Sequence, residues 1–381
     1  MKKIVLMFSM LFTMTIFSMS IMLLPVLAED PIDGTFNSTG FNNPTEYTKF
    51  TIHELSAFGA DNGDIVNDNN SLTPQQFYRF TLGVRDEDSL NDIESIQVHF
   101  YYVTFDEDAL TNDEGTYVVL EWVKGDNGFV VTDGGMTTTT WVVSNSAIPT
   151  LTDKEGDFSF DLQISKVARY STSGQWKVGL VVVDGVVAEG YEPKAVSHAA
   201  IGVTDSEDPL TGTASTFNMD WYGEIELSAN NALWTGVFPN MDFDDEGALV
   251  TLSGVTYISN GNYDREIKAD EVWNISGPAA ADGSTQAALT VELTDVGAGA
   301  DPASTQLFAL KVSDQDSPSL PTGTNGLVPL AEATVAFATD KPFTTEAGVE
   351  VEVYLWLAIS SRFQNATYTG EIVLSVVNTT N

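Results

Sequence analysis

Residues 96–102 read Ile96-Gln97-Val98-His99-Phe100-Tyr101-Tyr102. Successive side chains of a strand point to opposite faces. Ile96, Val98, Phe100 and Tyr102 therefore share one face and Gln97, His99 and Tyr101 the other, the pattern of a strand half-buried against a core. The same period of two returns in Phe158, Phe160, Leu162 and Ile164, and in Trp176, Val178, Leu180 and Val182 running into Asp184-Gly185. It recurs in Trp221, Gly223, Ile225 and Leu227, in Val349, Val351, Val353, Leu355 and Leu357, and in Ile372, Leu374 and Val376. Turn clusters such as Lys124-Gly125-Asp126-Asn127-Gly128 and Thr132-Asp133-Gly134-Gly135 punctuate these runs. No segment carries a long apolar stripe at helical spacing, and Thr, Val, Ser, Gly and aromatic residues dominate. The expected fold is all-β, with two antiparallel β-sandwich domains.

A chain of 381 residues exceeds the usual size of one domain. Met1, Lys2 and Lys3 precede an uncharged, largely apolar stretch from Ile4 to Ala28, and Val26-Leu27-Ala28 offers the small residue that signal cleavage requires. We therefore expect a signal peptide over 1–28; an uncleaved membrane anchor is the alternative reading of so long an apolar run. Residues 29–48, rich in Gly, Pro, Asn and Thr, form an extended leader. The first sandwich is expected over 49–203, a linker over 204–216 where TDSEDPLTGTAST offers nothing to bury, and the second sandwich over 217–381. Ala279–Ser284, Val296–Ser304 and Asp314–Leu330 read as loops, and the two halves show no internal repeat.

The acidic balance, 16 Lys and Arg against 54 Asp and Glu, gives a formal charge of −38, or −40 once Lys2 and Lys3 leave with the signal. Such a surface repels phosphate backbones and anionic headgroups and attracts divalent cations and basic proteins, which argues against nucleic acid as a partner. The chain has no cysteine. Disulfides, thiolate metal sites and cysteine nucleophiles are therefore excluded, and export without cysteine fits a prokaryotic surface protein. No membrane insertion is expected after signal cleavage, and the expected location is extracellular or at the cell surface.

The densest acidic stretch is Asp86-Glu87-Asp88-Ser89-Leu90-Asn91-Asp92-Ile93, between an apolar strand and the alternating run at Ile96. Calcium takes six to eight oxygen ligands, and alternate carboxylates at a strand end can converge on one ion. Asp86, Asp88 and Asp92 are the candidate ligands, with Asp184 at the end of another strand as a fourth. The other reading is a solvated turn in which Leu90 and Ile93 plug the core. The pattern Asp86-x-Asp88-x-Leu90-x-Asp92-Ile93 resembles a turn that opens a strand in immunoglobulin-like modules of prokaryotic secreted and cell-surface proteins. The resemblance covers about residues 80–185. It implies an immunoglobulin-like sandwich with a structural or adhesive role.

Three further acidic clusters, around Asp61–Asp68, Asp106–Glu114 and Asp242–Glu246, lack the spacing of a twelve-residue calcium loop. His53, His99 and His198 stand far apart without zinc-site spacing, and neither Gly-x-Ser-x-Gly nor a phosphate-cradling glycine loop occurs. A glycosidase needs only two carboxylates, but nothing marks a particular pair. In the run from Val349, Tyr354 and Trp356 fall in phase with Glu350 and Glu352, opposite Val351, Val353 and Leu355. An exposed aromatic pair there is the candidate glycan or partner surface. Sequons stand at Asn37, Asn69, Asn274, Asn365 and Asn378.

These readings combine into a secreted or cell-surface structural protein of the envelope, non-catalytic, stiffened by calcium, with other envelope proteins or copies of itself as partners. Two alternatives remain: a filament or lattice subunit that adds its leader strand to a neighbour's sheet, and a carbohydrate-binding surface module.

Overall fold

The computed structural model describes residues 45–66, 70–102, 115–133, 141–184, 194–198, 216–229, 231–276, 286–289, 307–315, 317–329, 334–361, 363 and 365–379. The strands in chain order are β1 (Glu46–Leu55), β2 (Ser71–Leu72), β3 (Phe77–Arg85), β4 (Ile93–Tyr102), β5 (Tyr117–Val123), β6 (Val130–Asp133) and β7 (Val142–Ala147). They continue with β8 (Glu155–Gln163), β9 (Ser171–Asp184), β10 (Lys194–His198), β11 (Thr216–Met219), β12 (Gly223–Leu227), β13 (Leu249–Ser259) and β14 (Tyr263–Ala269). The last are β15 (Val272–Ser276), β16 (Gln286–Leu289), β17 (Leu307–Ser313), β18 (Val335–Lys341), β19 (Val349–Ile359), β20 (Thr367–Thr369) and β21 (Ile372–Asn378). The fold is all-β; among the described residues the single helical element is a 3-10 turn at Leu90–Asp92.

Two sheets enclose the first core. One runs β1-β3-β8-β7; the other runs β2-β11-β9-β4-β5-β6, with β10 also on β9. The faces expected from the sequence are the buried ones: Ile96, Val98 and Phe100 of β4, Phe158, Phe160 and Leu162 of β8, and Trp176, Val178, Leu180 and Val182 of β9 belong to one cluster. Rings join the sheets, with Phe80 of β3 6.3 Å from Phe100 of β4 and Trp122 of β5 5.1 Å from Phe158 of β8. Phe100 and Trp176 stack at 4.7 Å within their own sheet. The result is sandwich-like.

The second core lies between a sheet ordered β12-β13-β19-β17-β16-β15-β20 and a three-stranded sheet β18-β14-β21. Most pairings throughout are antiparallel, and the exceptions are β2 with β11 and β16 with β17. The long segment 314–330 behaves as a loop where it is described. β13 kinks at a bulge between Leu252 and Val255, where Gly254 adopts φ +70 and a Cβ would lie 2.0 Å from Ser228 Oγ, so glycine is required on both counts.

Two boundaries differ from those read in the sequence. β1 begins at Glu46, within the expected leader, because Tyr47 packs on the first core. Phe217 and Met219, expected to open the second unit, lie in the first core. β10 pairs with the end of β9 (Leu180–Asp184) and β11 with its start (Ser171–Lys177), so two strands of one sheet flank the expected linker, of which residues 204–215 lie outside the described ones. The chain passes from one core to the other at Asp220–Tyr222.

The junction is closed by Asn260, a fully buried residue between β13 and β14. Its Nδ2 donates to the carbonyls of Ala168 (2.7 Å) and Asp220 (2.9 Å), and its Oδ1 accepts from the Tyr222 amide (2.8 Å). Its backbone carbonyl accepts from Tyr170 (3.0 Å). Lys166 reaches Glu224 at 3.3 Å and Glu226 at 3.5 Å, and the Arg169 guanidinium lies 3.5 Å above the Phe343 ring. Replacing Asn260 by Ala strands buried backbone groups at about 1–3 kcal/mol each. N260A is expected to lose about 2–4 kcal/mol and to split unfolding into two calorimetric transitions, one for each core.

Candidate metal centre

The turn from Asp86 to Asp92 is where the chain leaves β3 in one sheet and enters β4 in the facing one. Its conformation is set from within. Asp86 is fully buried; its Oδ1 accepts from the backbone amides of Asp88 (2.8 Å) and Ser89 (3.1 Å), and its Oδ2 accepts from the Thr45 hydroxyl (3.0 Å). The side chain of Ser89 then caps the 3-10 turn by accepting from the Asn91 amide at 3.1 Å, while its hydroxyl donates to the Leu151 carbonyl at 2.9 Å. Leu90 is buried in the core, as is Ile93. The Asp86 amide donates to Lys154 O and the Leu90 amide to Asp153 O, so the segment before β8 braces the turn from outside.

Asp86, Asp88 and Asp92 each offer one carboxylate oxygen, and these three oxygens lie within 4.8 Å of one another. Oxygens bound to calcium at about 2.3–2.6 Å cannot be more than about 5 Å apart, so the spacing suits one shared ion. A carboxylate has about four lone-pair sites. Asp86 uses three on its protein donors and keeps one for a ligand bond. Asp88 is exposed and Asp92 half-buried, which leaves room for water in the remaining positions. The carboxyl of Asp92 is raised above its ordinary value, first by burial and then by repulsion from Asp86 and Asp88, with Lys124 opposing. A cation would relieve that repulsion.

The other sequence-predicted residues divide clearly. Asp184 pairs through its backbone with Ile93, immediately beside Asp92, and its side chain lies outside the described residues. The Asp106–Glu114 cluster and Asn67 and Asp68 also lie outside them. Asp242 and Asp245 form a local turn, the Asp245 carboxylate accepting from the Asp242 amide at 2.7 Å. His53 and His99 stand on β1 and β4, in different sheets, and make separate contacts with Gly63 O and Gln97 Oε1. Among the described residues the Asp86 triad is the one set of three or more acidic or histidine side chains close enough to share an ion.

Tyr354 and Trp356 are not exposed. They are 3% and 4% accessible and pack with Phe243, Ala309 and Ala358 in a small core of their own, joined by Leu320 and Leu327. The loop after β17 lies across this face of the sheet, held by Lys311 Nζ, which donates to Pro321 O at 2.7 Å and sits 4.9 Å from the Phe243 ring. Burial lowers the Lys311 ammonium below the ordinary lysine value. The strand phase correctly sets the pair opposite the main core. The covering loop then buries the opposite face, and neither Tyr354 nor Trp356 is free to stack on a sugar.

A second polar centre has no signal in the sequence. Asp161 of β8, buried on the outward face, receives a two-pronged Arg79 contact at 2.7 and 3.0 Å, the Gly59 amide at 2.7 Å and Asn145 Nδ2 at 3.3 Å. Arg79 also donates to Asn62 Oδ1 at 3.0 Å, so the centre ties the 56–62 loop over the sheet. Alternation with Phe160 and Leu162 marks Asp161 as outward-facing. Only the loop that covers it makes it buried.

No protein-family model matches the chain, and no curated protein matches it in sequence.

Two substitutions separate the scaffold role from the ion role. D86A strands two amides and a hydroxyl and is expected to lose about 3 kcal/mol with or without calcium. D92N removes repulsion and is expected to raise the melting temperature in chelator at pH 7. Because the folded Asp92 pKa lies above its ordinary 3.8, its ionised form costs stability at neutral pH, and that cost disappears as pH falls through the folded value. The advantage of D92N should therefore shrink towards pH 4. In calcium the order should reverse, with wild type the more stable; thermal melts at each pH in chelator and in calcium read all three signs.

Proposed function

We propose that the chain is an exported, non-catalytic structural or interaction protein of the cell envelope, built on immunoglobulin-like sandwiches and stiffened by calcium at Asp86, Asp88 and Asp92. The observation that carries this reading is strand order. The order β1-β3-β8-β7 opposite β11-β9-β4-β5-β6, with β10 also on β9 and β2 outside β11, supports an immunoglobulin variable-type reading, A-B-E-D opposite G-F-C-C′-C″. In the second unit the large sheet holds the run β12-β13-β19-β17 and extends it with β16-β15-β20. The acidic turn then occupies the B-to-C crossover between the sheets, where an ion would staple both layers at one end. No helix among the described residues is long and apolar enough to cross a membrane.

The buried joint at Asn260 supports a mechanical or spacing role, because it replaces a free hinge between the cores with direct hydrogen bonds. A second reading, assembly through the leader, is favoured by one feature: β1 is the edge strand of its sheet and the leader enters it directly. A truncation that tests it must begin at Thr45, since a later start removes part of β1 and the hydroxyl that Asp86 accepts from.

Full-length chain produced in an exporting cell is expected outside it with Glu29 as its first residue. After metal removal it should gain about 2.7 kcal/mol when calcium exceeds its dissociation constant 100-fold, measured by calorimetric melting. Retention inside the cell with Met1 intact would overturn the export reading, and an unchanged melt would overturn the calcium reading. If chains beginning at Glu29 and at Thr45 sediment identically at every concentration, assembly through the leader is wrong.

A further inference from the structure

Two of the five sequons fall on one described strand pair. In β15, Trp273 and Ile275 point into the core while Asn274 and Ser276 are exposed, so the acceptor amide and the hydroxyl two residues on share the solvent face. β20 lies beside it in antiparallel register, with Ser276 opposite Thr367 and Asn274 opposite Thr369. Asn365, just before β20, and Thr367 are likewise exposed. The triplets Asn274-Ile275-Ser276 and Asn365-Ala366-Thr367 thus present their acceptors at one place, the end of the second unit's large sheet.

We propose that Asn274 and Asn365 are paired acceptors of N-linked glycan. The inference rests on the export part of the proposed function, since the transfer accompanies passage across a membrane. The donor is a lipid-linked oligosaccharide. In the transfer, the side-chain Nδ2 of asparagine bonds to C1 of the first sugar, the bond from C1 to the phosphate oxygen breaks, the lipid phosphate or pyrophosphate leaves, and one amide proton is lost to base.

Several asparagine side chains elsewhere are held by structural contacts. Asn260 closes the joint, Asn145 donates to Asp161, Asn62 accepts from Arg79, and Asn218 Oδ1 accepts from the Gly174 amide at 2.7 Å. Neither Asn274 nor Asn365 makes a side-chain hydrogen bond to another described residue, so substitution at either amide breaks no hydrogen bond among the described residues. The position also has a physical use. β20 is the last strand of its sheet, and an outer strand presents unpaired backbone groups that template edge-to-edge association. Bulky, hydrated glycans at both ends of the β15–β20 pair would block that edge, leaving other edges for any ordered assembly. Of the remaining sequons, Asn37 and Asn69 lie outside the described residues, and Thr380 of the last does too.

The test is expression of the full chain in a host that glycosylates asparagine during export, alongside a secreted reporter protein bearing one known sequon. Peptides spanning 272–276 and 363–369 of the exported chain are then mapped by mass spectrometry before and after enzymatic deglycosylation. Both peptides are expected to carry glycan, and deglycosylation in heavy-oxygen water should leave labelled aspartate at 274 and 365. N274Q and N365Q should each remove one glycan, as should S276A and T367A, which keep the asparagine and test the hydroxyl requirement. Unmodified asparagine at both positions in exported chain, with the reporter glycosylated, overturns the proposal and leaves the export reading standing. Chain retained inside the cell with Met1 intact overturns both.

Discussion

Phe80 and Phe100 meet across the gap between two sheets at 6.3 Å, and Trp122 meets Phe158 at 5.1 Å. Without cysteine, the first core has no covalent staple, so ring packing of this kind must hold the layers together. It also fixes where the chain can cross between them. β3 and β4 are consecutive but lie in opposite sheets, and the connection from Asp86 to Asp92 has to bridge the core's thickness at one end. Leu90 and Ile93 fill the opening, and the buried Asp86 carboxylate sets the backbone by accepting three hydrogen bonds. The close approach of Asp86, Asp88 and Asp92 follows from this packed crossover.

The scarcity of cationic side chains gives those present a structural meaning. Arg79 satisfies the buried Asp161, Arg265 pairs with Asp314 at 2.5 Å on the second unit, Lys166 bridges to Glu224 across the joint, and Lys311 pins the covering loop. Most of the described acids are exposed, a coat that repels anions and draws cations. Exposed pairs in such a coat contribute little to stability. The contacts that organise this molecule are those buried against a loop or between cores, where leaving one partner alone would be costly.

How much could be read in advance depended on whether a feature was local. The periods of two at Ile96–Tyr102, Phe158–Ile164 and Trp176–Val182 identified strands and their buried faces, because alternation is a property of the extended chain itself. The same reasoning placed Asp86, Asp88 and Asp92 within one short turn, where proximity along the chain ensures proximity in space. It failed for Tyr354 and Trp356. Alternation says which face a residue takes and is silent about what later covers that face; β19 is an inner strand whose second face is roofed by residues around Leu320 and Leu327. Nor does a polar composition at Thr204–Thr216 tell that the strands on either side of it, β10 and β11, pair with the same strand, β9.

Composition and pattern alone determined that this protein is all-β, acidic, free of disulfides, and supplied with a triad of carboxylates in a single turn between strands. The strand order of the sheets, the burial of Asp161 beneath the 56–62 loop, the closing of the joint by Asn260 and the pairing of the two sequons on β15 and β20 were decided only in three dimensions. Each of these brings together residues far apart in the chain, joined by hydrogen bonds or strand register that no local period encodes.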